Sequence, residues 1–216
     1  MIYNEETAIT VSEFLLQIKA IKLNNANPFT WASGLRSPIY CDNRITLSYP
    51  KVRTYMRQQF VKAIQDEFGD VDAIVGVATG GIAQGALIAQ EMGLPFAYVR
   101  SASKGHGLEN LIEGVVDPGQ SVVVVEDLIS TGGSSLKAVA ALREAKCNVK
   151  GMVAIFTYQL PAAIESFKKE KCKLITLADY ETMIDRALAN EYIKDSDFAS
   201  LLEWRKDPKK WGEKLS

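Results

Sequence analysis

Val122-Val123-Val124-Val125-Glu126-Asp127-Leu128-Ile129-Ser130-Thr131-Gly132-Gly133-Ser134-Ser135 joins an apolar β-branched run to two acids and a loop of Ser, Thr and Gly, and Leu136, Val139, Ala140 and Leu142 follow at helical spacing. Four consecutive valines suit a strand buried on both faces, as in a parallel sheet between two helical layers. Ligands of such sheets bind outside the carboxyl ends of the strands, so Glu126 and Asp127 are expected where chemistry takes place. Gly132 and Gly133 let successive N–H groups converge, the hydroxyls of Ser130, Thr131, Ser134 and Ser135 add donors, and the next helix offers its positive end. The stretch therefore reads as a cradle for a phosphomonoester. Two carboxylates beside it would repel a bare phosphate, but they make sense facing ribose hydroxyls or a Mg²⁺ carried by the same ligand, so the expected ligand is a phosphorylated sugar. A plain strand-to-helix turn with serine caps is the alternative for a lone Gly-Gly pair; the fixed order of valines, acids and loop favours the cradle. Gly-x4-Gly-Lys-Ser/Thr does not occur, and no Gly-x-Gly-x-x-Gly follows a strand, which argues against a P-loop and a dinucleotide fold.

The same grammar extends outward. Ala73 to Val77, Phe96 to Val99, Ser121 to Val125, Val149 to Thr157 and Leu174 to Leu177 read as strands, and Ile82 to Met92, Ser134 to Lys146 and Ala162 to Lys171 as the helices between them. The expected fold is α/β, a mostly parallel sheet with helices on both faces. Ser101 to Gly119, rich in glycine and longer than ordinary connections, reads as a lid or a disordered loop. Upstream, Thr10-Val11-Ser12-Glu13 looks like a capping box opening a helix that runs to Asn24-Asn25, and Pro50 to Gly69 reads as a second long helix. Pro28 to Asn43 suggests two short strands joined through Ser33-Gly34, a hood over the site. The expected organisation is one domain over residues 1–216, with a hood largely in 1–45, a core over about 50–180 and a helical tail over 181–216.

At 216 residues, 47% hydrophobic and 24% charged, the chain can bury a sizeable core. Its 25 Lys plus Arg against 26 Asp plus Glu leave a net charge of -1, too little to draw in a nucleic-acid backbone, so no nucleic acid is expected as partner. No signal-like leader or membrane-spanning apolar stretch is read, so a soluble cytoplasmic protein without a membrane partner is expected. Cys41, Cys147 and Cys172 lie far apart and the chain has one histidine, so neither a disulfide framework nor a zinc site is expected.

Glu126 to Ser135 resembles the phosphoribosyl-pyrophosphate motif of type I phosphoribosyltransferases, and three further segments make the chain similar to the orotate phosphoribosyltransferase family. Phe29-Thr30-Trp31-Ala32-Ser33-Gly34-Leu35-Arg36-Ser37-Pro38-Ile39-Tyr40 resembles its hood, Gly76-Val77-Ala78-Thr79-Gly80-Gly81-Ile82-Ala83 its pyrophosphate loop, and Arg100-Ser101-Ala102-Ser103-Lys104-Gly105-His106-Gly107 its catalytic loop. The Ser-Pro-Ile-Tyr-Cys-Asp-Asn-Arg hood resembles the variant found in Gram-positive bacteria, whereas Ala32, Gly80, Ser101 and Thr157-Tyr158 stand where the enterobacterial form has basic residues or an Asp-Arg pair.

The resemblance implies transfer of ribose 5-phosphate from phosphoribosyl pyrophosphate to orotate, with Mg²⁺ held on the substrate's diphosphate and no metal ligand set of the protein's own. It also implies a homodimer whose active sites are shared between subunits. By the same resemblance Glu126, Asp127, Leu128, Ile129, Ser130, Thr131, Gly132, Gly133 and Ser134 bind the donor, and Thr79, Gly80 and Gly81 face pyrophosphate. Ser130, Ser33 and Gly34 would meet orotate, and Arg100, Lys104 and His106 would bind the donor and catalyse. Lys104 and His106 then act either as proton donors or by neutralising charge, and orotate's carboxylate would be held by N–H groups near Ser33-Gly34 or by Arg36 or Arg44. Two other readings stay open at this level: a phosphoribosyltransferase for a different base, and a non-catalytic sensor of the donor.

Overall fold

The computed structural model describes residues 1–31, 33–100 and 111–214. Helix α1 (Glu5–Gln17) begins ahead of Thr10: the Asn4 side chain accepts from the Thr7 N–H at 2.8 Å, and Glu5 and Glu6 fill the first turn where acids are favoured. Thr10 lies inside the helix, its hydroxyl donating to the Glu6 carbonyl at 3.0 Å, so the cap-like tetrad marks no helix start. The helix also stops sooner than its apolar spacing suggests, because Lys19 turns the chain at φ 58° and Ile21 enters strand β1 (Ile21–Leu23).

The hood holds more strands than expected. β2 (Phe29–Thr30) pairs antiparallel with β3 (Arg36–Ser37), while β4 (Ile39–Cys41) turns away to pair with β1. Pro38, which has no N–H to give to a ladder, separates β3 from β4. A 3-10 turn over Asn43–Ser48 leads into α2 (Pro50–Phe68), with proline in its first turn and Val52, Met56, Phe60 and Ile64 buried at intervals of four.

From there strand and helix alternate as the sequence implied: β5 (Ala73–Val77), α3 (Gly80–Met92), β6 (Phe96–Val99), β7 (Ile112–Glu113), β8 (Ser121–Ile129), α4 (Gly133–Glu144), β9 (Asn148–Thr157), α5 (Pro161–Lys169) and β10 (Leu174–Asp179). The sheet order is β10-β9-β8-β5-β6-β7, parallel except for β7 at the edge. β7 lies within the stretch read as a structureless loop; its pairing with β6, Tyr98 opposite Glu113, is a long-range contact with no local periodicity to announce it. Val122 to Val125 are fully buried between two apolar layers, which explains their lack of polar alternation.

β8 also runs past its expected end at Val125. β5 pairs with it only as far as Gly76 opposite Val125, and the chain then leaves through a cis Ala78–Thr79 peptide into α3. β8 continues against β9 alone, Leu128 opposite Phe156 and Ile129 opposite Thr157. The sheet therefore opens on one side of β8 from Glu126 onward, at the point where the strand order changes direction. Gly81 permits this arrangement, since a Cβ there would stand 2.2 Å from the Val125 carbonyl oxygen.

Three helices end the chain: α6 (Tyr180–Ala189), α7 (Asp195–Lys206) and α8 (Pro208–Glu213). Trp204 of α7 is fully buried against Trp31, Tyr158 and Tyr180, with ring centroids 5.4–5.8 Å away, and its indole N–H donates to the Arg36 carbonyl at 3.2 Å. The charged, Trp-bearing tail thus ties the hood to the sheet, a role its sequence did not reveal.

Candidate active site

Between the carboxyl ends of β5 and β8 lies a cavity of about 400 Å³. Its wall comprises Cys41, Asp42 and Arg44 from the hood, Ala78, Thr79 and Gly80 from the turn after β5, and Glu126, Asp127, Leu128, Ser130 and Ser134 from β8 and the loop beyond it. Chain segments far apart in sequence meet here because β5 stops short and leaves space beside the longer β8.

The two acids differ in setting. Glu126 is buried: one carboxylate oxygen accepts from the Ser135 hydroxyl at 2.9 Å and the other from the Asp127 N–H at 3.0 Å. Burial, and after it the neighbouring Asp127 charge, push the Glu126 carboxyl well above the ordinary glutamate range. Asp127 is half-buried, and its carboxylate covers Gly80, where a Cβ would come within 2.2 Å of its carboxyl carbon. The main chain at Asp127 is fixed from the hood, with the buried Asn43 amide donating to its carbonyl at 2.6 Å and accepting from the Cys41 thiol at 3.2 Å. Burial raises that thiol far above its usual value, with Asp127 and Asp42 adding to the effect, so Cys41 is a packing and hydrogen-bonding group, not a nucleophile.

Beyond β8, Gly132 takes φ 80° and caps α4, whose first-turn N–H groups at Gly133, Ser134 and Ser135 lie too early in the helix for intrahelical acceptors. These donors and the helix's positive end can receive an anion, and Ser130 and Ser134 are part of the adjoining cavity wall. Ser135, counted among the phosphate donors from sequence, is buried and spends its hydroxyl on Glu126.

Of the residues singled out from sequence, Thr79, Gly80, Glu126, Asp127, Leu128, Ser130 and Ser134 meet in this cavity. Gly81 packs on β8, Ile129 is fully buried and has only its backbone to offer, and Gly132 and Gly133 shape the turn behind. Ser33, Gly34, Arg36 and Thr131 line a second groove of about 790 Å³ between the hood, Leu160–Ala162 and the α7–α8 turn. Arg100 directly follows β6, its guanidinium 3.4 Å from the Glu113 carboxylate, off the cavity wall. Lys104 and His106 lie outside the described residues. Sequence reasoning left Cys41, Asp42 and Asn43 off the site, although they belong to the Cys-Asp-Asn-Arg end of the hood motif. Arg44, weighed from sequence only for orotate's carboxylate, is bidentate to Asp42 at 2.7 and 2.9 Å.

Residues 49–173 match the model of the phosphoribosyl transferase domain. An orotate phosphoribosyltransferase of Phocaeicola vulgatus is 60% identical over 93% of this chain and 94% of its own length. One of Porphyromonas gingivalis is 55% identical over 94% and 96%. The crystal structure of orotate phosphoribosyltransferase from Aeropyrum pernix superposes with a TM-score of 0.74 at 26% identity, covering 85% of this chain and 99% of that one.

Proposed function

The chain belongs to the orotate phosphoribosyltransferases of the phosphoribosyl transferase domain family, and from that premise we propose how its residues carry the reaction. It transfers ribose 5-phosphate from phosphoribosyl pyrophosphate to orotate, giving orotidine 5′-monophosphate and pyrophosphate in pyrimidine biosynthesis. The observation that carries the seating is the sheet edge opened beside β8, which sets an anion seat next to two carboxylates of different character. The donor's 5-phosphate rests on the backbone from Leu128 to Ser134, with the Ser130, Thr131 and Ser134 hydroxyls and the Gly132 and Gly133 amides as its hydrogen-bond donors. Asp127 accepts from the ribose hydroxyls, and Glu126, held by Ser135, fixes the Asp127 main chain. Thr79, Gly80 and Gly81 face the diphosphate; Ser130, Ser33 and Gly34 meet orotate.

As the C1′–O bond breaks, the ribose gains positive charge and the departing pyrophosphate gains negative charge. Asp127 stabilises the first through the ribose hydroxyls. Arg100, Lys104 and His106 neutralise the second, Arg100 by exchanging Glu113 for phosphate oxygens, a swap its fork geometry suits. Phosphoribosyltransferases of this type generally use Mg²⁺ with the donor; here it enters as part of the substrate, on the diphosphate. The protein works in the cytoplasm as a homodimer with shared sites, a reading supported by the family likeness. Among the described residues no helix is long and apolar enough to cross a membrane.

The test is ultraviolet loss of free orotate on mixing protein, orotate, donor and Mg²⁺, with uracil, hypoxanthine and adenine as parallel acceptors. Turnover of orotate alone is expected. Turnover of another base would overturn the acceptor assignment, and donor binding without turnover of any base would make the chain a sensor.

A further inference from the structure

Two carboxylates, Asp42 and Asp127, the buried Glu126 carboxyl that holds its proton more tightly than an ordinary glutamate, and one cation, Arg44, are present in the described wall of the cavity. The donor proposed to sit there is an anion, and its diphosphate carries the most charge. Thr79 and Gly80, which face it, contribute no positive side chain. The Asp127 carboxylate lies over Gly80, so beside the Mg²⁺ that the diphosphate carries, Arg44 is the cation that the described wall can set against the repulsion from this side.

Arg44 is placed and parked for that task. It follows Asn43, the residue that clamps the Asp127 carbonyl, so its position is fixed relative to the end of β8. Its Nε and Nη2 grip Asp42 by a parallel fork at 2.7 and 2.9 Å, the geometry that equally fits two oxygens of a phosphate group. The Arg44 side chain is 60% exposed, and an ion pair this open to water is held weakly and exchanged readily. Arg36, the other hood arginine, is not an alternative: it lies in the second groove, its stem against Gly212 of α8.

We propose that Arg44 is a binding residue for the donor's diphosphate, which it takes in exchange for Asp42 when the substrate enters. The inference rests on the seating of the donor described above and adds to it a cation from the hood, opposite the turn after β5. Asp42 then acts as a placeholder: it keeps the guanidinium extended while the site is empty and competes with the ligand for it.

The two partners should therefore act in opposite directions. By calorimetry in Mg²⁺, Arg44→Gln is expected to weaken phosphoribosyl pyrophosphate and pyrophosphate at least tenfold while leaving ribose 5-phosphate, which lacks the diphosphate, unchanged. Asp42→Asn is expected to bind phosphoribosyl pyrophosphate as tightly as the wild type or more so, and Arg44→Lys, which keeps the charge but loses the fork, to fall between. Arg44 is exposed, and asparagine at 42 keeps an oxygen to accept from the Arg44 N–H at the start of the 3-10 turn, so these variants should melt with the wild type. Equal loss in Arg44→Gln and Asp42→Asn would mean the pair merely holds the hood together, and would overturn the proposal. So would unchanged pyrophosphate affinity in Arg44→Gln, or a rise in KM for orotate with donor binding intact, which would hand Arg44 to the carboxylate instead. Failure of wild-type orotate turnover would sink the acceptor assignment alone, because the diphosphate measurements need no acceptor.

Discussion

Gly132 and Gly133 are adjacent, yet alanine should have opposite effects at the two. Gly132 holds φ 80°, in the left-handed region, where an L-residue costs about 1–2 kcal/mol. Its Cβ would also stand 2.7 Å from Cε2 of Phe167, an aromatic ring locked in the core, and overpacking of that kind costs about 1–3 kcal/mol. Gly132→Ala should thus lose about 2–5 kcal/mol, which for a chain of this size lowers Tm by about 4–20 °C. Gly133 has no positive φ and a Cβ there meets nothing within 4 Å, so Gly133→Ala should gain about 0.4–1 kcal/mol by restricting the unfolded chain. The binding effects separate as well. Moving the Gly132 turn re-aims the first N–H groups of α4, and the donor should bind at least tenfold more weakly, whereas Gly133→Ala leaves the turn intact and should bind normally. Thermal melts with and without phosphoribosyl pyrophosphate read both quantities in one series. Gly132→Ala with wild-type melting and wild-type donor affinity would refute the assignment of this turn as the anion seat.

Other consequences follow from burial and charge. Because Glu126 has a raised carboxyl value in the folded state, the folded chain binds more protons than the unfolded one above pH 4.5, so wild-type stability falls as pH rises through that window. Glu126→Gln without ligand should melt higher than wild type at mildly alkaline pH and lose its advantage on acidification; a gap that widens in acid would contradict the buried setting. Trp204→Ala removes the indole that joins hood, sheet and tail and should cost about 3–5 kcal/mol by urea unfolding; a loss under about 1 kcal/mol would mean the tail is not pinned there. Lys104→Ala should cut turnover by about 10²- to 10⁴-fold with Tm unchanged, and wild-type turnover in that variant would remove Lys104 from the catalytic group.

The sequence by itself determined the layer architecture and the chemistry expected at one strand end. Val122 to Val125 could be read as a buried parallel strand because burial on both faces leaves a local signature, and the Ser/Thr/Gly loop after it because a phosphate cradle needs adjacent N–H groups. Pro50 announced α2 for the same kind of reason, a fixed φ at a helix start. Local pattern failed where two signals competed, as when Asn4 with its acids outranked the cap-like tetrad at Thr10. Only the tertiary structure decided how far β8 runs, since its pairing with β9 carries it on to Ile129 after β5 has stopped at Val125. It alone brought Cys41, Asp42 and Arg44 against Asp127, and spent Ser135 on Glu126. These are contacts between segments brought together by chain crossing, and neither spacing nor composition along the sequence encodes them. Cavity, charge balance and the placement of Arg44 therefore belong to the fold, while the phosphate seat belongs to the sequence.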